Sequence, residues 1–89
     1  MFIFLSIRID AQNNAFFHAA IGGGRDGMFP ATKDGAYALG RHIAAMCPGA
    51  DEFCCSSDID FADEFGVTMT SDEICNTVLL GMGCTVAAF

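Results

Sequence analysis

The first ten residues, MFIFLSIRID, carry apolar side chains at every odd position, while the even positions run from Phe2 and Phe4 to Ser6, Arg8 and Asp10. Strict alternation is the period of a strand with one face in a core. Phe2 and Phe4 fall on the other face, to be covered by a later part of the chain or to form an association patch. The next piece, AQNNAFFHAAI, supports two readings. Asn14 can cap a two-turn helix that ends at Gly22, or Asn13 and Asn14 can turn a hairpin. The short helix is the preferred reading.

Beyond residue 31 the period changes. Ala36, Leu39, Gly40, Ile43, Met46 and Cys47 recur at three and four residues, which predicts a helix from Thr32 or Asp34 to the stop at Pro48-Gly49, with Arg41 and His42 on its far side. DEFCCSSDIDF alternates again, with Phe53, Cys55, Ile59 and Phe61 on one face and Cys54, Ser56, Asp58 and Asp60 on the other, and predicts a second strand. Phe65, Val67 and Met69 continue the alternation as a short third strand. Thr70-Ser71-Asp72-Glu73 has the spacing of a capping box, and Ile74, Cys75, Val78, Leu79 and Met82 follow at helical intervals up to Gly83. CTVAAF supplies a last strand. The order strand, helix, strand, strand, helix, strand predicts an α+β domain with a small antiparallel sheet and two main helices. The leading architecture is ferredoxin-like (βαββαβ), with an insertion after the first strand.

Length and composition narrow the function classes. Eighty-nine residues make one domain with a single core. An apolar fraction of 53% and a mean hydropathy of +0.43 are high for such a chain and favour some self-association, a homodimer being the simplest form. No membrane span is expected. MFIFLSI lacks a basic flank, and the uncharged run from Ile74 to Phe89 is shorter than the ~20 residues that cross a bilayer and contains Asn76, Thr77, Gly81 and Gly83. Five cysteines without a secretory signal point to reduced thiols in a cytoplasm, with Cys55 in the core and Cys54 exposed.

Charge is distributed unevenly. Residues 1–46 hold Arg8, Arg25, Lys33 and Arg41 against Asp10, Asp26 and Asp34, for a net +1; residues 47–89 hold eight acids and no Lys or Arg, for a net −8. All eight acids lie between Asp51 and Glu73. That field repels nucleic acid and attracts basic surfaces, so direct nucleic-acid binding is not expected.

Each candidate for chemistry meets an obstacle. In IGGGRDG, Gly22, Gly24 and Gly27 match the G-x-G-x-x-G of dinucleotide sites, but no helix opens at the last glycine, Pro30 follows, and the acidic chain opposes a polyanion; a flexible loop fits better. Asp58 and Asp60, read on one side of a strand, could hold magnesium, yet the sixth position of a calcium loop counted from Asp58 is Asp63 and the twelfth is Met69. An edge strand guarded by charge, or an acidic ridge facing a partner, accounts for the pair without a metal. Adjacent Cys54-Cys55 lacks the C-x-x-C pairing of zinc sites, and His18 and His42 stand apart from any cysteine or serine in sequence. Met28, Met46, Met69 and Met82 read as core filler. No catalytic residue, cofactor or metal site is expected, and the chain is read as a non-enzyme.

In size, acidity and the cluster DEFCCSSDIDFADEF, the chain resembles the small phage-encoded inhibitors called anti-CRISPR proteins, a class without a shared motif. The resemblance implies a protein that occupies a nucleic-acid-binding or protein-docking surface of a bacterial defence complex, such as a CRISPR effector, through carboxylates placed where phosphates would sit. The residues so implied are Asp51, Glu52, Asp58, Asp60, Asp63 and Glu64. A second reading is an assembly module that associates through Phe2, Phe4 and the uncharged final segment, and a third is a small metal protein.

Overall fold

The computed structural model describes residues 2–84. Three strands follow one another, β1 (Phe4–Ile9), β2 (Ala15–Ala20) and β3 (Gly27–Pro30), then the long helix α1 (Lys33–Met46). A two-residue strand, β4 (Cys54–Cys55), leads into a single helical turn, α2 (Ser57–Asp60), a 3₁₀ turn (Ala62–Phe65) and the helix α3 (Ser71–Gly81). The sheet order is β3-β2-β1-β4; β1, β2 and β3 are antiparallel neighbours and β4 runs parallel to β1. The result is an α+β fold with a mixed sheet. The described elements do not follow the ferredoxin-like βαββαβ order.

The first strand lies where alternation places it. Ile3, Leu5 and Ile7 are buried, opposite Ala19 and Phe17 of β2, and Phe17 in turn faces Phe29 of β3. Residues 11–22 are the first correction: they form a hairpin and not a short helix. Asp10 makes the turn, its Oδ1 accepting from the amides of Gln12 (2.9 Å) and Asn14 (2.8 Å), while Asn13 takes the left-handed conformation at φ 65° that asparagine tolerates. The sheet then gains β3 from residues in which the alternation marks no strand. β3 ends in Pro30, which has no amide to give a further strand and suits a sheet edge.

Both long helices start and stop as their sequences predict. Thr32 caps α1 by accepting from the Gly35 amide, and Thr70 and Glu73 form the reciprocal capping box of α3. Ala36, Leu39 and Ile43 of α1 meet Ile74 and Val78 of α3 in a core that also takes Leu5, Phe17 and Ile59. The two helices approach backbone to backbone where Gly40 meets Gly81. A Cβ built on Gly40 would overlap the Val78 carbonyl and come within 2.8 Å of the Gly81 Cα.

The segment 53–69 is the second correction. Only Cys54 and Cys55 pair as a strand, and the alternation beyond them is absorbed by α2 and the 3₁₀ turn; residues 65–69 form no strand. Ser56 and the helix-compatible run SDID turn the chain inward, so Ile59 and Ala62 reach the core at a spacing of three while Phe61 stays 56% exposed. Cys55, expected in the core, is exposed at the sheet edge, as is Cys54. Met28 and Met46 are likewise exposed, and Met82 is buried. The strand expected at CTVAAF lies almost wholly outside the described residues.

Candidate functional site

The glycine-rich loop has no room in its chemistry for a phosphate. Its amides already hold an anion, the carboxylate of Asp26, whose Oδ1 accepts from Ile21 and Gly22 at 2.7 Å each. The chain enters β3 directly afterwards, so no helix N-terminus faces the loop. Gly22, Gly23 and Gly24 all sit at positive φ, which explains the run of glycines as backbone geometry. His18 Nε2 stands 3.6 Å from the second Asp26 oxygen, and His42 Nε2 lies 2.8 Å from the Arg25 carbonyl. The two amides, Gly22 foremost, hold the Asp26 carboxyl below the usual carboxylate range. Both histidines thus serve the loop.

The six carboxylates proposed from the sequence are placed in different settings. Asp51 and Glu52 are exposed on the connection from α1 to β4, lining a hollow that also includes Arg25. Asp58 turns inward: one of its oxygens accepts from the Ile7 amide at 3.3 Å and the other from the Ser56 hydroxyl. Its role follows from the shortness of β4. Cys54 and Ser56 donate to the carbonyls of Ile3 and Leu5, the chain then leaves the sheet, and the Asp58 carboxylate takes the place of the next ladder acceptor for β1. Asp58 and Asp60 therefore sit on a helical turn and not on one side of a strand.

Asp60, Asp63 and Glu64 remain exposed. Asp60 and Asp63 line one hollow with Met69, Thr70 and Ser71, at the start of α3, where Asp72 and Glu73 add two more acids to the first helical turn. Glu64 borders a neighbouring hollow between the β1–β2 turn and Thr32. Asp60 and Asp72 both act electrostatically on the Cys75 thiol of α3, which places them around the same point. The carboxylates of α3 were not among the six, although the capping-box motif puts Asp72 and Glu73 at an exposed helix start.

Among the described residues, the opposite face of the sheet carries no helix. Phe2 is 65% exposed and stacks on Phe4 with ring centroids 6.0 Å apart; Met28, opposite His18 in the register, is 54% exposed. Among the described residues, no group of three or more His, Cys, Asp or Glu side chains is placed to hold a metal ion, and no helix is long and apolar enough to cross a membrane.

The fold and these surfaces define an α+β protein with one helix-covered sheet face and one that is open among the described residues. Comparison with protein-family models, with curated proteins and with solved structures gives no match.

Proposed function

We propose that the chain is an acidic protein-interaction module, acting by binding and not by catalysis, and that its contact surface is the α2 to α3 corner. The observation that carries this reading is the gathering of Asp60, Asp63, Asp72 and Glu73 about the start of α3, on a half of the chain that contains no Lys or Arg. Such a corner lowers the energy of approach for a cationic groove and orients it before contact. Glu64 extends the surface. Asp58 is a framework residue in this scheme, and Asp51 and Glu52 lie beside Arg25, which dilutes their field.

The recipient is a basic, nucleic-acid-binding surface of a bacterial defence complex, as the likeness to anti-CRISPR inhibitors implies, and the compartment is a reducing cytoplasm, where cysteines without disulfides persist. Affinity capture from a bacterial lysate at low and at high salt, with the captured proteins identified and challenged with competing nucleic acid, tests the reading. The captured protein should be basic and should be released by salt, since screening contracts from about 10 Å at 0.1 M to about 3 Å at 1 M. It should be lost from the variant Asp60→Asn, Asp63→Asn, Glu64→Gln. Equal capture by that variant at the same salt overturns the proposal.

The open sheet face supports a second reading, self-association through Phe2, Phe4 and Met28. Sedimentation across a range of concentrations separates the two: an apolar dimer persists at 1 M salt (on the order of the ionic strength that removes surface electrostatics) and dissociates in Phe2→Ser, Phe4→Ser.

A further inference from the structure

Cys55 and Cys75 come from elements twenty residues apart in sequence, yet their sulfurs lie 3.4 Å from each other. Both positions follow from the fold. Cys55 pairs with Leu5 in the parallel register of β1 and β4, which turns its side chain to the helix side of the sheet edge, and Cys75 sits in the second turn of α3, directly above that edge. Neither is sealed in: Cys55 is exposed and Cys75 half-buried. Cys47, by contrast, is buried in the core.

We propose that Cys55 and Cys75 form a redox-active pair that hydrogen peroxide converts to an intramolecular disulfide. A disulfide holds its sulfurs about 2.05 Å apart, so closure requires an approach of roughly 1.3 Å, within reach of side-chain rotation at an exposed edge. The thiolate of Cys75 attacks one peroxide oxygen; the O–O bond breaks, a sulfenic acid forms on Cys75, and hydroxide leaves to take up a proton as water. The Cys55 sulfur then attacks the Cys75 sulfur, the S–O bond breaks, and the thiol proton of Cys55 leaves with the departing hydroxide as a second water. Two thiols lose two electrons and one peroxide gains them. A small dithiol reverses the change by exchange.

Either sulfur can donate in the contact between Cys55 and Cys75; the shared hydrogen bond holds the pKa of Cys75 below its ordinary value and that of Cys55 above it, while Asp60 and Asp72 oppose ionisation of Cys75. In the proposed sequence Cys75 attacks and Cys55 resolves. Cys54, next in sequence but paired with Phe4 on the other face of the sheet, is excluded from the bridge. The bridge ties together the two ends of the segment bearing Asp58, Asp60, Asp63 and Glu64, and its formation does not depend on what that segment binds.

The test uses the whole purified chain, fully reduced, then exposed to hydrogen peroxide, blocked by alkylation and digested without reductant for mass spectrometry. The alkylatable thiols should fall from five to three. The linked peptide should join Cys55 to Cys75 and separate again with dithiothreitol. Cys75→Ser and Cys55→Ser should each abolish the link and Cys54→Ser should retain it; the wild-type peptide map gives the same answer without relying on any variant. A Cys54 to Cys75 linkage, a dominant intermolecular linkage, or alkylation of Cys55 and Cys75 undiminished relative to Cys84 overturns the proposal.

Discussion

Replacement of Gly40 by alanine tests whether the α1–α3 contact is what holds the helical layer together. On an exposed helix the change stabilises, since alanine exceeds glycine by about 1 kcal/mol in helix propensity. At Gly40 the added methyl has nowhere to go. It overlaps the Val78 carbonyl and stands 2.8 Å from the Gly81 Cα and 2.9 Å from the Met82 amide nitrogen, all backbone atoms, where ordinary contact begins near 3.4 Å. The helices must part by about an ångström along their crossing to clear the Val78 carbonyl, loosening Leu39, Ile43, Ile74 and Val78, which are fully buried beside it. Overpacking of this kind costs typically 1–3 kcal/mol, and the backbone character of every obstacle puts Gly40 at or above the upper end, so a net loss of about 2 kcal/mol remains after the propensity gain. For a domain of this length that lowers Tm by roughly 8–16 °C. Thermal unfolding followed by circular dichroism gives the result, with Ala45→Gly on the exposed side of α1 as the propensity control. A Gly40→Ala protein as stable as the parent would refute the backbone-to-backbone crossing.

Removal of the Asp58 carboxylate in Asp58→Ala leaves the Ile7 amide without its acceptor and should lower stability by about 1–2 kcal/mol in urea unfolding, whereas Asp60→Asn and Asp63→Asn should stay within about 0.5 kcal/mol. Thr70→Ala breaks the capping box of α3 and should cost about 1 kcal/mol in the same assay. The carboxyls of Asp26 and Asp10 are held below the usual value near 3.8, chiefly by the amides of Gly22 and Asn14 respectively. A depressed folded-state pKa contributes stability that is present above the unfolded value and lost as pH falls through the folded one. The urea midpoint should therefore fall as the pH drops below about 4, and the fall should be shallower in Asp26→Asn and Asp10→Asn.

Local rules carried the sequence reading as far as they apply. Thr32, Thr70 and Glu73 announce their helices because a cap is satisfied within four residues, and the odd positions of β1 announce a buried face because nothing interrupts the alternation. The hairpin was equally present in Ala15, Phe17, Ala19 and Ile21, an alternation obscured by the helix-favouring alanines around it. Segment 53–69 is different in kind. Its alternating pattern also satisfies a three-residue spacing at Ile59 and Ala62, and only the neighbouring β1, with room for two paired residues before α2 must close over it, decides between them. Because that decision is tertiary, the acidic candidates read from the strand pattern were divided by the fold: Asp58 went inward, Asp60 and Asp63 outward, and Asp72 and Glu73 joined them from a helix start. The thiol pair was invisible for the same reason, since Cys55 and Cys75 meet only when β4 and α3 are both in place.

The parallel pairing of β4 with β1 also bears on the order in which contacts can form. β1, β2 and β3 are joined by short turns and zip together from neighbouring residues, whereas Cys54 must find Phe4 across fifty positions of chain with α1 in between. Loop-closure entropy thus favours early formation of the β1–β3 meander and late docking of the returning chain that carries the acidic corner.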